Sequence, residues 1–220
     1  MIDKKYATHN REPFFELAKD YIKDTSKVLD IGAGNGAFAK YYNRNDFYLF
    51  DGNLQTIDGL KENFPNVKHG ILPILPYENT FFDVIHCSHV VEHLDANVLY
   101  QSLTEMDRCL KRGGVIVISA PLIWEGFYDD LSHVRPYPPA VFKNYLCSKI
   151  SSNRTRDIIS DAYTMVKVIY RFNEKKLPES IHFHSNRFWY YVIMVIMKLL
   201  KKLQIKFYDK TGYTIILQKA

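Results

Sequence analysis

What this 220-residue chain has little of narrows it first. It has three cysteines, Cys87, Cys109 and Cys147, with no CxxC pair among them. That argues against a disulfide framework or a cysteine zinc site and predicts reduced, mostly buried thiols in a cytosolic protein. The start, Met1-Ile2-Asp3-Lys4-Lys5, lacks the apolar core of a signal peptide. No apolar run approaches the about 20 residues that a bilayer span needs. Net charge is only +5 and is spread along the chain until its last quarter, whereas a dedicated nucleic-acid binder clusters its basic side chains. There is no internal repeat and no low-complexity linker. With 47% apolar and 24% charged residues, the composition is that of one ordinary domain, with or without an appendage. Asn153-Arg154-Thr155 matches a glycosylation sequon, which carries no meaning without secretion.

One stretch stands out, Lys27-Val28-Leu29-Asp30-Ile31-Gly32-Ala33-Gly34-Asn35-Gly36-Ala37-Phe38. Val28, Leu29 and Ile31 form a short apolar run of the kind a parallel strand buries on both faces. Alternate glycines follow, then Phe38, Tyr41 and Tyr42 at helical spacing. The pattern is strand, glycine turn and helix start, which brings backbone close to a ligand. Asp30 is the odd residue. A buried, unpaired carboxylate there would be costly, so a cationic or donor-rich group should meet it. Two ligands suit the loop. Read as Gly32-x-Gly34-x-x-Ala37 it matches a dinucleotide fingerprint, with Asp51 about 20 residues further on as the ribose-binding acid. Read as Asp30-x-Gly32-x-Gly34-x-Gly36 it resembles motif I of class I S-adenosylmethionine-dependent methyltransferases, whose cofactor carries cations that an acid suits.

The flanking chain alternates strands and helices. Residues 10–22 set Phe14, Leu17, Ala18, Tyr21 and Ile22 on one stripe with Pro13 in the first turn, predicting a helix that packs beside the sheet. Phe47-Tyr48-Leu49-Phe50-Asp51 reads as a second buried strand ending in an acid, and residues 66–71 as a short third. Pro76 and Asn79 mark a turn, and Phe82 to Cys87 forms the fourth strand. A helix from Asn97 to Leu110 turns Leu99, Leu103, Met106 and Leu110 inward and stops at Lys111-Arg112-Gly113-Gly114. Val115 to Ser119 is the fifth strand.

Four landmarks in order, over about residues 25–120, resemble class I methyltransferases. They are the glycine loop, the strand ending in Asp51, the run Leu75-Pro76-Tyr77-Glu78-Asn79-Thr80-Phe81-Phe82-Asp83-Val84-Ile85 with Val90-Val91-Glu92-His93-Leu94 after it, and Leu-Lys-x-Gly-Gly before the fifth strand. The third of these is similar to the "LPF…FDVI…EHL" segment of small-molecule methyltransferases, which NAD dehydrogenases do not normally carry. The resemblance implies an α/β, doubly wound, Rossmann-like sheet of seven strands in the order 3-2-1-4-5-7-6, the last antiparallel. It implies S-adenosylmethionine as cofactor and S-adenosylhomocysteine as product. Asp30, Gly32, Ala33, Gly34 and Gly36 would cradle the methionine end. Asp51, with Gly52, would accept from the ribose hydroxyls, Asn53 and Leu54 would lie along the adenine, and Ser88 and His89 would border the crevice. The acid that many members place after the third strand is absent, its aligned position being Ile71.

In such sheets ligands bind outside the carboxyl ends of the strands, where strand order reverses. Asp30, Asp51, Ser88 and Ser119 all end strands in this reading, so residues 120–139 overhang the crevice as an acceptor loop. Methyl transfer from a sulfonium is a one-step displacement, so alignment is the main task. A hydroxyl acceptor is helped by a base, and His133 is the first candidate. Asp129 or Asp130 would orient its other ring nitrogen, and Arg135 would hold an anionic or hydroxyl-rich acceptor through its planar fork. The loop Asp129-Asp130-Leu131-Ser132-His133-Val134-Arg135-Pro136-Tyr137 also resembles loops of bacterial methyltransferases that act on sugars and surface glycans, which implies a small-molecule or glycan acceptor. The plainer alternative is that His133 and Arg135 pin a proline-rich loop to the body. His86, His89 and His93 lack HExxH geometry, so no metal is expected. Glu92 and His93 are read as starting and capping the next helix, and His182 and His184 as surface residues.

Ala162 to Tyr170 is β-rich and reads as a sixth strand, and Gly212 to Gln218 as the last. Between them lies a helical insertion, 173–211, with the apolar run Phe188 to Met197 followed by Lys198, Leu199, Leu200, Lys201 and Lys202. Apolar almost all round, it wants burial on more than one side. Three readings stay open: packing on its own sheet, a homodimer interface, or peripheral contact of 188–202 with the inner membrane face of a cytoplasmic protein. The domain plan is an N-terminal helix or cap over 1–24 and a methyltransferase domain over 25–220. Two alternatives remain, an NAD-dependent oxidoreductase and a catalytically silent relative acting as a cofactor-binding partner subunit.

Overall fold

The computed structural model describes residues 2–148, 155–175, 187–202 and 206–220. In chain order its elements begin with α1 (Glu12–Phe15), β1 (Val28–Ile31), α2 (Ala37–Tyr41), β2 (Tyr48–Asp51), α3 (Leu54–Lys61) and β3 (Val67–His69). There follow β4 (Phe82–Ser88), α4 (Ala96–Cys109), β5 (Leu110–Pro121), α5 (Pro139–Leu146), β6 (Tyr163–Lys175), α6 (Arg187–Lys202) and β7 (Phe207–Lys219). The strands form one sheet of seven in the order β3-β2-β1-β4-β5-β7-β6. The first five run parallel and β7 is antiparallel to both its neighbours, as the sequence implies. Strand order reverses between β1 and β4, which fixes where the crevice opens.

Alternation along the strands divides the core. Leu29, Ile31, Ile85, Cys87, Ile116 and Ile118 pack under Leu99, Leu103 and Met106 of α4. Val28, Val84, Val115 and Val117 point the other way, against Phe14, Phe15, Phe38 and Phe47. Asp30 and His86 are in register with one another on that second face.

The regular helix expected over 10–22 is instead the short α1 continuing as a 3-10 helix over Glu16–Tyr21. The Tyr42 hydroxyl donates to the Phe15 carbonyl at 2.7 Å, competing with the helical ladder at that point. Phe14, Phe15, Leu17 and Ala18 are nevertheless buried. At α4 the N-cap is Asp95, whose Oδ1 accepts from the backbone of Asn97 and Val98; Glu92 and His93 lie before it in a separate 3-10 turn and cap nothing. The helix stops at Cys109. Leu110 already pairs with Phe82, and Gly113, at φ 78°, sits where β5 shifts register against β4. The Lys-Arg-Gly-Gly run thus opens a strand.

Both strands of the edge pair outrun expectation. Residues 173–175 pair with 207–209 as continuations of β6 and β7, so the expected insertion bounds of 173–211 include strand at both ends. Within α6, Tyr191, Val195, Ile196 and Leu199 are exposed, so packing on the sheet does not cover them. No helix among the described residues is long and apolar enough to cross a membrane. His182 and His184 lie outside the described residues.

Candidate active site

From the end of β1 the chain turns through Gly32, Gly34 and Gly36, with φ of 69°, 53° and 73°. Gly32 is needed for space as well as for its backbone angle, because a Cβ there would stand 2.2 Å from Cγ2 of Val90. The Gly32 and Ala33 amides donate to the Phe50 carbonyl at 2.8 and 3.3 Å, folding the loop toward β2. The Gly34 amide donates to Oδ2 of Asp51 at 2.9 Å, and the Asn53 amide to Oδ1 at 2.9 Å. Two backbone donors therefore fix this half-exposed carboxylate, and each oxygen keeps capacity for a further donor. Asn53 in turn caps α3, and the carbonyl of Gly52 accepts from the His69 ring at 3.1 Å.

Asp30 is buried, and its Oδ1 lies 2.6 Å from Nδ1 of His86. The imidazole stacks on Phe38 at 3.7 Å and 11°, with Phe15 edge-on to it. The donor that Asp30 requires thus comes from the neighbouring strand, and a ligand cation is not needed to satisfy it. Ser88, half-buried, ends β4, and His89 follows in a left-handed conformation with φ 57°, its amide donating to the Ser119 carbonyl at 2.9 Å. Ser119 itself does not border the crevice. β5 runs on to Pro121, and the buried Ser119 hydroxyl bonds that of Thr214 at 2.7 Å.

Beyond β4 lies a polar chain that sequence reasoning missed. The Arg171 guanidinium, from β6, lies 3.5 Å from Nε2 of His89, and Nδ1 of His89 lies 3.2 Å from Oε1 of Glu92. Arginine can only donate and the carboxylate only accept, so the imidazole is held between them in one orientation. Burial, and then the nearby charge of Arg11, pull the Arg171 pKa down. Glu92 is 1% exposed and its Oε2 has no hydrogen-bond partner among the described residues. Its carbonyl accepts from the amides of Val134 and Arg135 at 2.8 and 3.2 Å, tying the acceptor loop to the end of β4. The available signal was a carboxylate four residues past the end of a buried strand.

In the acceptor loop the orienting partner of His133 is neither Asp129 nor Asp130. Its Nδ1 lies 2.6 Å from the Phe127 carbonyl, and its ring stacks on Phe127 at 4.7 Å. A carbonyl can only accept, so Nδ1 carries the proton and Nε2 keeps the lone pair in the neutral ring. The 3-10 turn Phe127–Asp129 places that carbonyl. Oδ1 of Asp130 instead accepts from the hydroxyl and amide of Ser132, which hold its pKa low, and the Asp129 carboxylate has no hydrogen-bond partner among the described residues. The Arg135 guanidinium is exposed and lies over the ring of Tyr137 at 5.6 Å. Tyr137 is fixed by its hydroxyl to the Leu94 carbonyl and, at its own carbonyl, by the Tyr213 hydroxyl. Arg135 and Arg156 border a cavity of about 240 Å³ walled by Leu99, Tyr100, Tyr137 and Val141.

A mixed sheet with this strand order, a glycine turn after β1 and an acid closing β2 define a nucleoside-binding enzyme domain of the methyltransferase kind. The comparisons agree. The family model described as "Methyltransferase domain" matches residues 3–151, and the chain belongs to that family. A SAM-dependent methyltransferase from Archaeoglobus fulgidus superposes with a TM-score of 0.62 at 26% identity, covering 96% of this chain and 95% of the other. A putative sarcosine dimethylglycine methyltransferase from Galdieria sulphuraria gives 0.61 at 16% identity, with 95% and 85% covered. In sequence, the probable methyltransferase ltbC of Aspergillus luteorubrus is 26% identical over 165 residues, covering 56% of this chain and 57% of that protein. The ubiquinone/menaquinone biosynthesis C-methyltransferase UbiE of Cupriavidus metallidurans is 27% identical over 143 residues, with 56% of each covered. The chain thus spans a little over half the length of the curated relatives it matches. Of the two ligands the glycine loop suits, family membership selects S-adenosylmethionine, the cofactor of class I methyltransferases.

Proposed function

We propose that the protein transfers the methyl group of S-adenosylmethionine to a hydroxyl of a polar acceptor, a sugar, glycan or similar small molecule. The observation that carries this reading is the state of His133. A backbone carbonyl fixes its Nδ1 as the donor, so Nε2 is a base, and the Glu92 carbonyl anchors the loop holding it to the strand end beside Ser88 and His89.

The crevice suits the cofactor. Asp51 presents a carboxylate already aligned by two amides, as a ribose pair of hydroxyls requires, and the space around Gly34 is open. When bound, the cofactor supplies a methyl group on a good neutral leaving group. Gly32, Ala33, Gly34 and Gly36 hold its methionine end, with Asp30 acting indirectly by clamping β1 to β4 through His86. Gly52 and Asn53 shape the ribose and adenine side, and Ser88 and His89 form the floor. His133 takes the acceptor proton at Nε2 as the new O–C bond forms, and Arg135 holds acceptor oxygens through its fork. Trp124 and Tyr128, both exposed on the same loop, offer flat apolar faces for the C–H side of a sugar ring. An acceptor carried on a lipid would also bring into use the exposed Val195, Ile196 and Leu199 of α6.

The test is methyl-labelled cofactor with a panel of sugar nucleotides, free sugars and glycolipids. Alkali-stable label in a sugar supports an ether-forming O-methyltransferase. Label lost to mild alkali as methanol, or incorporated only into amines, contradicts it.

A further inference from the structure

Glu92, His93 and His133 come together in a way the methyl-transfer scheme does not use. One carboxylate oxygen of Glu92 and one ring nitrogen from each histidine lie within 4.8 Å of one another. Both rings are held from behind by backbone carbonyls: Nδ1 of His93 lies 3.0 Å from the Ser132 carbonyl, and Nδ1 of His133 lies 2.6 Å from that of Phe127. Each imidazole then carries its proton on Nδ1 and a lone pair on Nε2, the arrangement in which metal-binding histidines are usually held. The two rings are 5.0 Å apart. The third member is the buried carboxylate, whose Oε2 has no hydrogen-bond partner among the described residues while Oε1 is engaged by His89. A buried carboxylate oxygen without a partner is costly, and a cation at that point removes the cost.

We propose that Glu92, His93 and His133 form a binding site for one divalent transition-metal ion of the zinc type. Two imidazole nitrogens and a carboxylate oxygen make the donor set of an open, three-ligand site, with a fourth position left for water or an acceptor oxygen. Donor atoms on one such ion stand about 3.4 Å apart, so from separations within 4.8 Å the trio closes by at most about 1.4 Å on loading. His133 lies in a stretch outside helices and strands, between Asp130 and Pro138. The site shares His133 with the acceptor chemistry proposed above, and Glu92 and His93 have no part in that chemistry. It also has a consequence for it: a lone pair given to a metal is no longer available to take a proton, so loading lowers turnover if His133 is the base.

The experiment titrates the full chain, first stripped with chelator, with cobalt(II) as a coloured probe and with zinc(II) by calorimetry. The expected result is one ion per chain, the intense visible absorption of four- or five-coordinate cobalt, and at least tenfold weaker binding in both His93→Gln and Glu92→Gln. S-adenosylhomocysteine binding by the same variants verifies that they fold. Absence of the cobalt band, or affinity unchanged in both variants, overturns the site. Metal-dependent loss of turnover that disappears in His93→Gln supports site and base together. Turnover that rises on loading supports the site and overturns the base assignment of His133.

Discussion

The carboxylate of Asp30 and the imidazole of His86 meet at 2.6 Å across β1 and β4, each side chain only 3% exposed. The pair lies beneath the glycine loop and is roofed by Phe38 and Phe15. Removing one partner of a buried pair leaves the other uncompensated, at a cost of about 3–5 kcal/mol. His86→Ala should therefore lower unfolding stability by about that much in urea titrations. The double variant Asp30→Ala/His86→Ala should lose clearly less than the sum of the two singles. Additive losses would show that the two groups do not depend on each other.

Gly32 and Gly34 should respond differently to alanine, although both have positive φ. Without cofactor, Gly34→Ala has open space and meets only backbone strain, about 1–2 kcal/mol. Gly32→Ala also strikes Val90, so it should be far more damaging to stability and to cofactor affinity. Val90→Ala should recover part of the Gly32→Ala loss. Thermal unfolding with and without S-adenosylhomocysteine measures both.

His133→Ala should reduce turnover about 10²–10⁴-fold, the usual worth of a general base, with S-adenosylhomocysteine affinity unchanged. Asp129→Ala, which removes a carboxylate with no hydrogen-bond partner among the described residues, should leave turnover near the native level. The reverse ranking would restore Asp129 to the role first expected of it.

Arg108 gathers the turn before β4, donating to the carbonyls of Tyr77 and Leu75, to Asn79, and twice to Glu105. The guanidinium holds the Glu105 carboxyl below its ordinary value of 4.5. A depressed folded pKa means stabilisation that is present above the unfolded value and lost as pH falls through the folded one. Glu105→Gln should therefore be less stable than the native chain at pH 7, and the gap should close in acid. A gap that is constant with pH would assign the effect to packing.

Much of this architecture was legible because burial dictates composition. β1, β2, β4 and β5 are covered on both faces and read as apolar runs, while the strand order followed from the resemblance to class I methyltransferases, not from the strands themselves. The outer ends of β6 and β7 were not legible, since Asn173, Glu174, Lys175 and Asp209 pair in a polar extension beyond β5 that resembles loop in composition. The positions of Asp51 at the end of β2 and of the glycines in the turn after β1 were legible, because a buried apolar run marks each strand and positive φ calls for glycine. The surroundings of Glu92 were not. The amides of Val134 and Arg135 that meet its carbonyl, and the Arg171 guanidinium that meets its partner His89, come from distant segments, and the group that orients His133 is a carbonyl, which no side-chain pattern records.

The most direct test of the account is a calorimetric titration of the native chain and of Asp51→Ala with S-adenosylhomocysteine, with NAD as control. The account predicts micromolar binding, about −8 kcal/mol, to the native chain, loss of that binding in Asp51→Ala, and none of NAD to either. Binding of NAD by the native chain, or S-adenosylhomocysteine affinity unchanged by the loss of Asp51, would contradict it.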